Sequence, residues 1–170
     1  MVTVALGVTI TAIAVPSASR TVDALRLSSA ARDVERELQT ARLKSVSNNR
    51  PMQVRLNCPA AGQFRLIEVT GVAATDTAAD RCDTATFPYP GPADSDPATP
   101  GLDGPMRYVR SEITIAGPDL QFTPKGTTLR VVAGATQSMV GSPATITVTR
   151  GGNTSSVSIN ALGRIQLQNQ

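Results

Sequence analysis

The first 46 residues constrain this chain most, because they carry two helical signals in succession. Met1 to Val15 read MVTVALGVTITAIAV, fifteen residues without a charge, and Pro16 and Ser17 then interrupt the run. From Thr21 the pattern turns amphipathic: Leu27, Ala31, Val34, Leu38 and Ala41 recur at spacings of 4, 3, 4 and 3, a single stripe along a helix. Arg32, Asp33, Arg36 and Glu37 fall mostly off that stripe. Ser47-Asn48-Asn49 and Pro51 end it, since turn-prone residues and the residue before a proline disfavour helix. One long helix is therefore expected from the first residues to about Val46, bent near Pro16. Its greasy first third presents Val2, Val4, Leu6, Val8, Ile10, Ile13 and Val15, and its remainder presents a stripe built to pack on something else.

The uncharged run is a membrane signal of awkward length. As a helix, fifteen residues reach about 22 Å, short of a hydrocarbon core about 30 Å thick. A secretory signal peptide would explain the length, with Ala12-Ile13-Ala14 as its cleavage site, but the basic region that precedes such a segment is missing.

After Pro51 the period changes from helical to two. Met52, Val54 and Leu56 alternate with Gln53, Arg55 and Asn57, and Phe64 to Val69 follows a turn over Pro59 to Gly62, which reads as a hairpin. Asp83 to Pro105 holds six of the twelve prolines and four aspartates, and this composition predicts an exposed loop. Strand patterns resume at Met106–Val109, Glu112–Ile115, Leu120–Phe122 and Thr128–Val132. Ala144–Thr149 and Ser155–Ile159 then flank Arg150-Gly151-Gly152-Asn153, a glycine-centred hairpin turn, and Ile165–Leu167 closes the chain. These runs predict an α+β layout of one long helix and seven or eight short antiparallel strands. In so short a chain the sheet has to bury the helix's stripe, because neither has another partner.

Composition removes most chemistry. Without a histidine there is no Ser-His-Asp or Cys-His catalysis and no His-ligated metal, so the chain reads as a non-enzyme that needs no cofactor. The five aromatics, Phe64, Phe87, Phe122, Tyr89 and Tyr108, are too few for a platform that stacks single-stranded nucleic acid. Cys58 and Cys82 are a disulfide candidate if the chain is exported, and otherwise two free thiols; a bridge between them would be worth about 3 kcal/mol by loop-entropy arithmetic. Asp94, Asp96 and Asp103 lie in the acidic loop, without the spacing of a calcium site. Charge is uneven: residues 51–105 carry 3 basic and 7 acidic groups, whereas 106–170 carry 6 and 2. Lys125, Arg130, Arg150 and Arg164 in that basic part are the candidates for contact with DNA phosphates.

Several phrases, taken in order, resemble one family. The apolar segment ends in Ala14-Val15-Pro16-Ser17, the helix contains Leu38-Gln39-Thr40-Ala41-Arg42, and a strand is entered through Pro51. Further on stand Phe122-Thr123-Pro124-Lys125-Gly126 and the finish Leu162-Gly163-Arg164. The chain is similar to the type IV pilin-like minor pseudopilins, and among them to the GspH/FimT group; the likeness weakens over residues 58–119. That resemblance implies a pilin-like fold and a division into residues 1–19 (transmembrane and filament core), 20–50 (amphipathic helix) and 51–170 (periplasmic β-rich domain). It also implies a structural subunit near the tip of a type II secretion pseudopilus, single-pass in the bacterial inner membrane. Its partners would be other pseudopilins, the inner-membrane assembly platform and secreted cargo. Family members begin with a basic leader and a prepilin peptidase site whose new terminus is methylated; neither is present, and by comparison about six residues of the segment are missing, which predicts a start that lies upstream of Met1. Restoring six residues would add about 9 Å of helix. Arg20, Arg26 and Arg32 follow the apolar run, against the positive-inside tendency, and a lost basic leader would restore the balance.

The alternatives are a FimT-like minor pilin that binds DNA in natural transformation, and a secreted β-rich binding domain behind a signal peptide. The DNA-binding branch favours glycine-arginine-x-arginine near its end, and Gly163-Arg164-Ile165-Gln166 supplies half of it.

Overall fold

The computed structural model describes residues 2–90 and 101–169, with the side chains of 21–90 and 101–168. Helix α1 spans Val2–Ser47 as one element, about 69 Å at 1.5 Å per residue. Its end is dictated locally. Asn49 adopts a left-handed φ of 52°, which asparagine tolerates better than most residues. This lets Asn49 donate its N–H to the Val46 carbonyl at 3.4 Å and Arg50 donate to the Ser45 carbonyl at 3.2 Å, a Schellman cap followed at once by Pro51.

Among the described residues ten strands follow: β1 Met52–Leu56, β2 Gln63–Glu68, β3 Met106–Tyr108, β4 Thr114–Ala116, β5 Asp119–Phe122, β6 Thr128–Val132, β7 Ala135–Ser138, β8 Ala144–Arg150, β9 Asn153–Ile159 and β10 Ile165–Asn169. A one-turn helix, α2 Ala73–Asp76, lies between β2 and β3. The strands form two antiparallel sheets, a six-stranded one ordered β3-β2-β1-β5-β6-β7 and a four-stranded one ordered β10-β9-β8-β4.

Helix α1 packs on β1 and β5 of the larger sheet and on β8, β9 and β10 of the smaller. Its stripe meets Val54, Phe64, Leu120 and Phe122 from one sheet and Ile146, Val157 and Ile159 from the other in one core cluster. Val34 and Leu38 are fully buried, and each contributes about 1.5–3 kcal/mol of apolar burial.

Among the described residues the strands number ten, roughly the seven or eight expected, and nine of them fall at the runs read in the sequence. The added β7 is exposed at all four residues, Ala135-Thr136-Gln137-Ser138, so it lacks the buried alternation that marks a strand in sequence. The other differences are at boundaries: β3 ends at Tyr108 and β4 is shifted to Thr114–Ala116. The expected exposed loop is exposed only in part. Asp103 is 4% exposed, and Gly104 donates its N–H to the Leu66 carbonyl at 2.8 Å, so residues 101–105 return along β2 inside the fold. Asp94 and Asp96 lie outside the described residues.

Candidate functional site

The most specific arrangement gathers three separated segments at the end of α1. Arg42 is exposed on the helix and donates from Nη2 to the Leu162 carbonyl at 3.4 Å. One turn on, the buried Ser45 hydroxyl donates to the Phe122 carbonyl at 2.9 Å. The third tie is backbone: Thr128 N–H donates to the Ala161 carbonyl at 2.9 Å, joining β6 to the turn before β10. Gly163 closes the joint. A Cβ placed on it would lie 2.5 Å from the Gly126 carbonyl oxygen and 2.8 Å from Arg42 Nε, and its φ of +74° already favours glycine. Helix α1, the β5–β6 turn and the β9–β10 turn therefore meet without room for a methyl group. Such a joint holds both sheets at a fixed place on the helix.

A second clamp holds the other end of the buried stripe. Arg150, in the β8–β9 hairpin, pairs through Nη2 with Asp23 of α1 at 2.9 Å and through Nη1 with Glu112 before β4 at 3.0 Å. Its side chain is 10% exposed, whereas those of its partners are 43% and 58% exposed. The clamp and the joint bracket the stripe from Leu27 to Ala41.

Behind β2 lies a buried ionic network. Arg65 is fully buried and spends its guanidinium on four carbonyls, those of Gly104, Cys82, Asp83 and Phe87, with Asp103 at 4.0 Å. Burial lowers its pKa, opposed by the Asp103 charge. Arg81 pairs with both oxygens of Asp103 and lies over the Phe87 ring, 4.4 Å from its centroid. Glu68 accepts from Arg50 and from the Gly101 and Leu102 amides. Burial pushes its carboxyl up, but Arg50 and the two amides outweigh that and leave the pKa lowered. The Cys58–Cys82 disulfide, with Cα atoms 5.7 Å apart, ties the same segment to the end of β1.

Residues 30–163 match the family described as Type II transport protein GspH. The chain belongs to the GspH family. Its fold is that of the Pseudomonas aeruginosa type IV minor pilin FimU, at 20% identity over 84% of this chain and 87% of that one, with a TM-score of 0.51. It is also similar to the minor pseudopilin EpsH from the Type 2 Secretion System of Vibrio cholerae, at 10% identity over 82% of this chain and 93% of that one, with a TM-score of 0.48. No curated protein matches the sequence.

In this GspH-family chain three of the phrases that carried the resemblance meet at the joint: Ala41-Arg42, Phe122 to Gly126, and Leu162-Gly163-Arg164. Leu27, Ala31, Val34, Leu38 and Ala41 are all buried in the core cluster, between 0% and 6% exposed. The side chains of Val2, Val4, Leu6, Val8, Ile10, Ile13 and Val15 lie outside those described. Among the described residues no helix is long and apolar enough to cross a membrane.

The four DNA candidates separate. Lys125 and Arg164 are exposed, next in sequence to Gly126 and Gly163 of the joint. Arg130 is half-buried, with Nε enclosed and lacking a hydrogen-bond partner among the described residues. Arg150 is spent on Asp23 and Glu112, so it is not a free phosphate ligand. Asp103 is likewise not a calcium ligand in an exposed loop, because Arg81 and Arg65 hold it inside the fold. Nothing in the sequence distinguishes Arg65, Arg81 and Glu68, since a buried charge looks in sequence like a solvated one.

Proposed function

We propose that this GspH-family chain is a minor pseudopilin of a type II secretion pseudopilus, near its tip, and assists the export of folded proteins. The observation that carries this is the continuity of α1. Residues 2–15 of the uncharged run and the stripe buried under both sheets belong to one helix, Val2–Ser47. The division of labour proposed is membrane anchor and filament core for residues 1–19, amphipathic support for 20–50, and a periplasmic domain for 51–170. The apolar part would hold the subunit in the inner membrane and then exchange lipid contacts for packing against neighbouring subunits and the assembly platform. Thr3, Ala5, Gly7 and Ala12 allow close helix approach. Deleting the gene in its host should abolish export of folded proteins, and the wild-type chain, but not one with Gly7→Trp and Ala12→Trp, should restore it. Normal export in the deletion strain would remove this role.

A second reading, a FimT-like pilin that binds DNA, is favoured by one arrangement: Arg42, Lys125 and Arg164 are exposed cations around the joint and face no carboxylate among the described residues. Phosphate binding by them would weaken steeply with salt. Retardation of duplex DNA at low salt, lost when all three are changed to Gln, would support it. A chain that never retards DNA would leave the pseudopilin reading alone. Secretion as a free β-rich domain would require a mature protein lacking residues 1–15, so recovery of that segment from membranes argues against it.

A further inference from the structure

A groove of about 680 Å³ runs beside α1 over residues 22–33, between the helix and the segment that joins β3 to β4. On the helix side Val22, Arg26, Ser29 and Asp33 recur at spacings of 4, 3 and 4, a second stripe beside the one buried under the sheets. Tyr108 to Arg110 stand opposite. The clamp fixes the level of that segment along the helix. The Arg150 guanidinium bridges Asp23 and Glu112, so the residues around Arg110 lie beside the turn that contains Asp23.

The lining combines apolar surface with uncompensated positive charge. Val22, Leu25 and Tyr108 are 42%, 66% and 78% exposed at the mouth of the groove. Arg26 and Arg110 line the same groove, and neither guanidinium has a hydrogen bond or a carboxylate partner among the described residues. Asp33, the one carboxylate of the lining, comes seven residues after Arg26, about 10 Å farther along the helix. The groove is therefore cationic toward the start of the chain and acidic away from it.

Toward that start lies the uncharged run, read above as part of an anchor that ends at residue 19. Val22 and Arg26 follow residue 19 by about 5 Å and about 10 Å of helix, and the headgroup layer outside a hydrocarbon core is roughly 5–8 Å deep. Helical side chains lean toward the N-terminal end of their helix, which aims the stem of Arg26 back toward that layer. Tyrosine, and arginine with its apolar stem, suit such a boundary. The cations considered for DNA belong to another place, since Arg42 stands about 24 Å along the helix from Arg26.

We propose that this groove holds the headgroup of an anionic phospholipid in the membrane from which α1 rises. Arg26 and Arg110 take the phosphate, and Val22, Leu25 and Tyr108 lie against the glycerol and the upper acyl carbons. The inference rests on the anchor reading and adds to it a lipid that the folded domain selects.

The test reconstitutes the full-length chain in phosphatidylcholine vesicles at low salt, with a trace of phosphatidylglycerol or of phosphatidylcholine spin-labelled in its acyl chain. Insertion of an anchor by itself slows both lipids alike, whereas the groove should slow phosphatidylglycerol with an apparent affinity at least about fivefold higher. Arg26→Gln together with Arg110→Gln should bring the two lipids within about twofold of each other. Ser29→Trp changes no charge and fills the groove from an exposed helix position, so it should do the same. Millimolar glycerol 1-phosphate should leave the preference intact, since it lacks the acyl chains. Equal slowing of both lipids by the parent chain would overturn the proposal and leave the groove to a protein partner. A preference that survives Ser29→Trp, or one lost to glycerol phosphate, would overturn it as well. In all three cases the chain still floats with the vesicles; a chain that does not float removes the anchor reading, and this inference with it.

Discussion

At the scale of single residues, the joint and the ionic network make opposite demands on substitution. Gly163→Ala has to pay for both a left-handed backbone and a methyl group pressed on the Gly126 carbonyl and Arg42, a loss of roughly 2–4 kcal/mol. Gly151→Ala, with φ +53° but open space around it, should cost only about 1 kcal/mol. Thermal melts of the two variants side by side check the comparison. Glu68 makes a pH-dependent contribution whose sign follows from its lowered pKa. A carboxyl held below its ordinary value of 4.5 stabilises the fold above that value, and loses the contribution as pH falls through the folded pKa. Glu68→Gln should therefore destabilise by about 1–3 kcal/mol at pH 7, and the gap to the parent should narrow in urea melts taken below pH 4.5. Gly163 and Glu68 also show what is legible at this scale. A glycine in a recognisable phrase draws notice, whereas Glu68 reads as one more polar residue at the end of a strand.

The elements differ in how openly their sequences declare them. The 4-3-4-3 stripe of α1 is visible because only one face of the helix is buried, and the alternation in β1 because the residues facing α1 are apolar while Gln53 and Arg55 on the other side are polar, although Gln53 is buried too. Strand β7 is invisible because both of its faces are exposed and only backbone pairing to β6 defines it. Helix α2 buries no residue and exists because Asp76 holds the turn before it. The clamp between the β8–β9 hairpin and α1 also belongs to this scale, since it links elements more than a hundred residues apart. Arg150→Ala should change global stability by no more than about 1 kcal/mol, because Asp23 and Glu112 are well exposed and solvent screens them. Its effect should be local: faster amide exchange in α1 over residues 21–27, with residues 38–45 near the joint unchanged. Equal rates in variant and parent would mean that core packing alone holds that turn of the helix.

At the scale of the whole molecule, one helix serves two sheets, and residues 81–87 and 101–104 between β2 and β3 are held by cross-links in place of a core of their own. The disulfide spans 24 residues, so replacing Cys58 and Cys82 together by Ser should cost about 3 kcal/mol, measured as a lower midpoint in urea. Arg65, bound to the carbonyls of Cys82, Asp83 and Phe87, should then lose order with that segment, while the Leu38 end of the core keeps its packing. The sequence by itself determined the long helix, its buried stripe, the antiparallel β-rich remainder and the family, because periodicity and short phrases are local properties. It could not show that Arg42, Gly126 and Gly163 meet, that Arg150 and Asp103 are already paired, or that Arg26 and Arg110 line one groove. Those facts depend on which distant segments the two sheets bring within a few ångströms, and the chain order of the residues carries no record of that distance.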